Sequence, residues 1–420
     1  MTLWAGASKV DITPPAGMAM AGFAARTEPA LGAHDELTVR AVAVNDTALL
    51  VADVIGLHED MSQRVRKRCV LPDDKVVITS LHTHGGPVTM AGRLGTGTES
   101  EYLSQLEDAC VEAINKAVDS AMPARLLSGM GADPKVARNR RHDQGPLDRA
   151  LPVLKIESLA GRPIAVLLSY ACHPVVLGAD NRLWTADYPH FTRTMIEAAV
   201  PGALALFFTG CVGDSNTGHT AQSSLSMAAN PDRSFESAKK IGRRIGEAAL
   251  ASLLTPVEND ISTAYAELSL YFQRRDKQST NELAKAWRIE RSNASQMRAV
   301  ILDCWIRWAE NADLTQREFW NARVAVVNWG GFLIVAMPGE IFAESSLTIR
   351  SYLQGKPAFV IGFSEGNPGY IPPESEYHFG GYEIEEAHRY YGMPATFKPG
   401  SAEAIVAAVI NLVPDSRLNN

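Results

Sequence analysis

Short unbroken apolar runs recur along this chain, and each stops at glycine or proline and then delivers a polar side chain. The segment VVITSLHTHGGP, residues 76–87, ends in His82-Thr83-His84 and a Gly-Gly-Pro turn. IAVLLSYAC runs into His173-Pro174, and ALALFFTGCV into Gly213-Asp214-Ser215-Asn216. GGFLIVAMP ends at Gly339-Glu340, and AFVIGFS is followed by GNPGY, which carries Tyr370. Near-continuous apolar strands belong to sheets covered on both faces. Ligand sites in such sheets lie beyond the carboxyl ends of the strands. Residues i and i+2 of a strand share a face, so His82 and His84 are expected to aim both imidazoles into one cavity at a strand end.

Between these runs the pattern predicts the remaining elements. SKVDITP reads as a strand, and ELTVRAVAVNDTALLVADV as two strands joined by an Asn-Asp turn. Helices are expected near 58–70, over 98–121 with Pro123 as the stop, after Pro189, over 234–254 and over about 401–412. ARLLSGMGA and LPVLKIES read as strands, and ARVAVVNWGGFLIVAMP as a hairpin turning at Gly330-Gly331. The stretch 281–312 is the least strand-like part and predicts a helical insertion, at about 279–320, placed as a lid; its Met, Trp and Ile residues fit core packing at helical spacing. No repeat or Pro/Ser-rich linker interrupts the chain, so residues 1–420 are expected to form one domain. The fold class is α/β, with mixed β-sheets flanked by helices and the site at strand C-terminal ends.

Composition narrows the function. Over 420 residues the content is 46% hydrophobic and 21% charged, ordinary for a soluble globular protein. A net charge of −7 gives no basic footprint for nucleic acid and none for anionic membranes. No run of apolar residues is long enough to span a bilayer. The start lacks a basic region followed by an apolar core, so no signal peptide is expected. Five scattered cysteines without a CxxC pair fit reduced thiols and a cytoplasmic protein without a stable membrane anchor.

Imidazole is a neutral metal ligand and a proton carrier near neutral pH. Two or three His, one Glu, one Asp and one Tyr gathered at strand ends would make a hydrolytic metal site. KVARNRRHDQGPLDR, with Arg138, Arg140 and Arg141, reads as a polar loop; one arginine turned to the site would bind a substrate oxygen.

These residues resemble the catalytic N-terminal domain of the neutral/alkaline non-lysosomal ceramidase family. The resemblance rests on Lys9-Val10-Asp11-Ile12-Thr13-Pro14-Pro15, LHTHGGP at 81–87, Ala171-Cys172-His173-Pro174, Pro338-Gly339-Glu340 and GYIPPESEYHFGGYE at 369–383. It implies a zinc ion held by His82, His173, Glu340 and Tyr370. By the same carry-over His84 sits beside the metal for hydrogen bonding or proton transfer, Arg140 faces the substrate, and Tyr382 lies near the site. Where the family has GDVSPN with a functional serine, this chain has Gly213-Asp214-Ser215-Asn216-Thr217, which puts Asn216 in the serine position. Ser215, one residue early, is expected to bond the turn's own backbone. The implied activity is cleavage of an amide (N-acyl) bond of a small or modestly apolar substrate by metal-activated water. His84 or Asp214 would carry the proton, and Arg140 or Asn216 would stabilise the oxyanion. An esterase, lactonase or carbamate hydrolase would use the same groups, and a non-catalytic metal-binding protein is the remaining alternative.

Overall fold

The computed structural model describes residues 2–220, 227–228, 230–274, 278–311 and 317–414. The apolar runs do become strands, and the order in which they pair explains where the site forms. The larger sheet runs Leu204–Thr209, Pro163–Tyr170, Leu151–Ser158, Met122–Gly131, Leu3–Asp11, Thr38–Val44, Thr47–Ala52, Val76–Ser80, with Thr255–Pro256 added to Met122–Gly131. It is mixed. Its first pair and its last pair are parallel, and the pairs between them are antiparallel. A second sheet runs Ala358–Ile361, Phe332–Ala336, Phe319–Trp329, Ile261–Gln273, Thr396–Phe397.

Both edge strands of the larger sheet meet the second sheet at one segment. Thr79 bridges to Ser364 and Gly210 bridges to Ile361. Backbone bonds from Gly362 to Thr209 and from Ser80 to Phe363 close the seam. The carboxyl ends of Val76–Ser80, Pro163–Tyr170, Leu204–Thr209, Phe332–Ala336 and Ala358–Ile361 therefore converge.

Local sequence accounts for most of the expected elements. The turn Asn45-Asp46 joins Val44 to its partner Thr47, with Asn45 at φ 51°. The hairpin at Gly330-Gly331 has positive φ at both glycines, as a two-residue turn of that twist needs. A side chain at Gly330 would also overlap the carbonyl of Glu258. Helices form at Glu59–Arg68, Ser100–Asp119, Tyr188–Ala199, Phe235–Leu250, Ala343–Tyr352 and Ser401–Leu412. Pro189 falls in the first helical turn, where a missing N–H costs nothing. The predicted insertion is a pair of helices, Thr280–Arg291 and Gln296–Glu310, packed through Trp287, Trp305 and Trp308. Residues 312–316 of that prediction lie outside the described residues.

Helix Tyr188–Ala199 is tied to the sheet by a fully buried ion pair, with Arg193 donating to both oxygens of Asp53 at 2.7 and 2.9 Å. Asp53 also accepts from the backbone N–H and hydroxyl of Thr38, so both of its buried oxygens are met by donors.

Candidate metal centre

His82 and His84 do meet, but not by strand alternation. The strand stops at Ser80, and His82 adopts a left-handed backbone at φ 65°. Such a conformation costs about 1–3 kcal/mol in a non-glycine residue and persists only where the surroundings dictate it. Here the His82 N–H donates to Val54 at 2.9 Å, and its ring stacks on Phe363 with centroids 4.1 Å apart. The loop, not the pleat, turns the two rings edge to face at 5.0 Å. His173 reaches the same point from the strand Pro163–Tyr170, its ring 5.0 Å from that of His82. Ligand nitrogens of His82, His84 and His173 all lie within 4.8 Å of one another, and the group could hold a metal ion.

Glu340 and Tyr370 arrive together as register partners in a two-residue parallel ladder. One Glu340 oxygen lies 3.0 Å from His173 Nε2 and the other 3.5 Å from His82 Nε2. Arg140 donates to the Tyr370 hydroxyl at 2.9 Å and to the Gly213 carbonyl at 2.9 Å, and pairs with Glu383 at 3.0 Å. The four residues of the resemblance-implied ligand set are thus neighbours, and His84 stands beside them with its Nε2 3.4 Å from that of His82.

The donor set suits a cation. His82 Nδ1 faces the Ile55 carbonyl at 2.6 Å and His173 Nδ1 the Ser215 carbonyl at 3.1 Å. A carbonyl only accepts, so both Nδ1 atoms carry the proton, and a ring in its neutral form then presents a bare Nε2. This is the arrangement that outer partners impose on metal-ligating histidines. Burial pushes the His82 imidazole down to about 4, which keeps it neutral at pH 7. Burial alone would push the Glu340 carboxyl up; the adjoining His82 and His173 imidazoles, with a hydrogen bond from Tyr391, outweigh it and hold Glu340 down to about 2, so it is ionised at neutral pH. The buried Glu340 carboxylate and the Nε2 atoms of His82 and His173 face one another at 3.5 and 3.0 Å. A cation held between them would compensate the buried charge. The Tyr370 hydroxyl is pushed up by burial against the opposing charge of Arg140.

Other predicted residues take different posts. Asp214, pushed up to about 6 by burial, spends one oxygen on the Ala343 N–H and the other on the Asn139 amide, both at 2.9 Å. It fixes the start of helix Ala343–Tyr352 and, through its own carbonyl, the Arg140 N–H. Asn216 lines the cavity, yet its side chain closes its own turn, accepting from Gly218 and His219 and donating to the His219 carbonyl. The Ser215 hydroxyl donates to the Ala171 carbonyl at 3.1 Å, across the loop and not within its own turn as expected. Tyr382 lines the cavity with its ring 5.8 Å from that of Tyr370.

Sequence reasoning missed Tyr391, Phe363 and Arg26. Tyr391, buried, donates its hydroxyl to Glu340. Nothing in the spacing of YYGMP marks it, because its partner lies 51 residues away. Phe363 was legible only as one apolar residue of a strand end.

The whole opens into a cavity of about 730 Å³ lined by His84, His173, Arg140, Asn216, Tyr370 and Tyr382. Helix Gln296–Glu310 contributes Asp303, Cys304, Arg307 and Trp308 to its wall, which is where a lid was expected.

A family model described as "Neutral/alkaline non-lysosomal ceramidase, N-terminal" matches residues 4–224, more than half of the chain. The chain belongs to the neutral/alkaline non-lysosomal ceramidase family. Neutral ceramidase A of Dictyostelium discoideum is 27% identical over 203 residues, which is 43% of this chain and 28% of that protein. Neutral ceramidase of Mycobacterium tuberculosis is 23% identical over 306 residues, 63% of this chain and 48% of that one. The matched stretches thus span under half the length of these ceramidases. The crystal structure of neutral ceramidase from Pseudomonas aeruginosa shares the fold, with a TM-score of 0.76 at 16% identity over 99% of this chain and 75% of that one. All five cysteines of this ceramidase-family chain are free thiols, and no described helix is long and apolar enough to cross a membrane.

Proposed function

We propose that this chain is a zinc-dependent hydrolase that cleaves an amide (N-acyl) bond of a small or modestly apolar substrate. The observation that carries the reading is the pair of buried imidazoles, each with its Nδ1 spent on a backbone carbonyl, whose bare Nε2 atoms face Glu340 at 3.0 and 3.5 Å. Family membership supplies the amide class.

His82, His173, Glu340 and Tyr370 would hold the ion. When bound, zinc supplies Lewis acidity, polarising the acyl carbonyl and making water acidic enough to ionise near neutral pH. His84 is neutral, because burial and then the nearby His82 and His173 push its imidazole well below the usual range. Its Nε2 faces the site, so it accepts a proton from water and returns it to the departing nitrogen. Arg140 stays cationic: burial opposes its charge, but Tyr370 and Glu383 more than offset the cost. Held by Gly213, Tyr370 and Glu383, it is preorganised to face the oxygen on which negative charge develops. Across the reaction the oxygen of water joins the acyl carbon, the C–N bond breaks, and the nitrogen leaves as an amine.

The test combines metal analysis with a panel of amide, ester, lactone and carbamate substrates matched in acyl chain. Stoichiometric zinc with the amide turned over fastest is expected. Turnover confined to the ester or lactone would replace the amide reading, and bound zinc with no turnover of any acyl substrate would favour a binding protein. His84→Ala separates the two ligand sets: zinc retained with turnover lost fits the proton-transfer role, and zinc lost makes His84 a ligand.

A further inference from the structure

Buried guanidiniums in this chain are generally met by carboxylates: Arg40 by Glu197, Arg66 by Glu365, Arg140 by Glu383 and Arg193 by Asp53. Arg26, at the cavity, departs from this pattern. It is 6% exposed, and no carboxylate lies within ion-pairing distance of it among the described residues. It donates only to carbonyls, those of Asn181, Ala21 and His84, and its Nε, also buried, has no partner. An incompletely compensated buried cation is costly unless something anionic completes it. Burial pulls Arg26 down to about 9, so it remains charged at neutral pH.

Its position gives that charge a use. The guanidinium lies 5.0 Å from the centre of the Phe23 ring, Arg233 lies 5.6 Å from the same ring, and Phe23 packs against His84 at 4.9 Å. All four residues line the cavity. Two acidic groups act on this pair from outside. Asp180, exposed, attracts both arginines, and Asp187 attracts Arg233 while accepting from three backbone N–H groups. Neither forms an ion pair with Arg26 at contact distance.

We propose that the cavity wall formed by Phe23, Arg26 and Arg233 binds a carboxylate on the amine side of the scissile bond, so that the substrate is an N-acyl amino acid. The assignment rests on the amidohydrolase reading above. His84 returns the proton to the departing nitrogen, so the group one ring beyond His84 belongs to the amine product. A ceramide would bring only uncharged hydroxyls to this pole, leaving the Arg26 charge as it stands.

The probes are N-octanoylglycine and its uncharged analogue N-octanoylglycinamide. Two measurements use the full chain: kcat/KM on the zinc-loaded protein, and calorimetric Kd on chelator-treated protein, where no turnover occurs. The carboxylate should be preferred at least about tenfold in both. Arg26→Gln should collapse the Kd ratio to under about threefold, Arg26→Lys should retain part of it, and Arg233→Gln should reduce it. A wild-type Kd ratio near one overturns the proposal, as does a ratio unmoved by both glutamine variants. If Arg26→Gln fails to fold, the wild-type ratio and Arg233→Gln decide. Absence of turnover on both probes with the Kd preference intact would refute the hydrolase reading while leaving the anion site standing.

Discussion

Replacing Tyr391 by phenylalanine removes one oxygen and almost no volume, which makes it a clean probe of how Glu340 is held. In the structure Glu340 is fully buried: one oxygen lies 3.0 Å from His173 Nε2, and the other takes the Tyr391 hydroxyl and lies 3.5 Å from His82 Nε2. Among the described residues, Tyr391 is the one hydroxyl that donates to Glu340. Without it a buried carboxylate oxygen loses its hydroxyl donor, at a cost of about 1–3 kcal/mol. The ring itself stays packed against Tyr370, 5.9 Å away, so the fold should be unchanged. Loss of such an outer partner weakens metal binding by roughly 10–100-fold, which is about 1.4–2.8 kcal/mol. Zinc affinity measured by competition with a chromophoric chelator reads this directly, with circular dichroism confirming the fold. Wild-type zinc affinity in Tyr391→Phe, together with an unchanged melting temperature, would refute the reasoning and mean that the hydroxyl does not orient Glu340.

Three further outcomes are expected. His82→Ala and His173→Ala should each abolish stoichiometric zinc in metal analysis and nearly all turnover. Ser215→Ala should lose less than about tenfold in kcat, or 1.36 kcal/mol of barrier, because its hydroxyl bonds Ala171 while the carbonyl that orients His173 is kept; a covalent acyl adduct on Ser215 found by mass spectrometry would contradict this. Asp53→Asn, which strands Arg193, should cost about 3–5 kcal/mol at pH 7 in denaturant unfolding. Burial alone would raise the Asp53 carboxyl, but Arg193 outweighs it and holds it below its ordinary value. The pair's stabilisation is therefore present above about pH 4 and lost as pH falls further, and the variant should show a shallower loss over that acid range.

Much of this protein was legible before its fold was known, for a local reason. The strands around the site are apolar throughout and end at Gly or Pro, a pattern that depends only on neighbours in the chain. The same holds for the turns Asn45-Asp46 and Gly330-Gly331 and for the helix Ser401–Leu412. Ile261–Gln273 escaped notice because it is a half-exposed strand whose polar positions carry no unbroken apolar run. The candidate ligands could be named from motifs because each sits within a few residues of a strand end.

What the residues do with their side chains was decided elsewhere. His82 and His84 converge through a left-handed backbone that Val54 and Phe363 impose, both remote in sequence. Asp214 carries suitable chemistry, and a contact 129 residues away ties it to a helix start, whereas Asn216 bonds locally within its own turn. Tyr391 and Arg26 look unremarkable in the chain, and they matter only because folding buries them beside Glu340 and His84. Sequence by itself determined which elements form and which residues stand at their ends. Which polar atoms face one another in a dry space was left to the packing of the two sheets, since only burial decides when a hydrogen bond must be made.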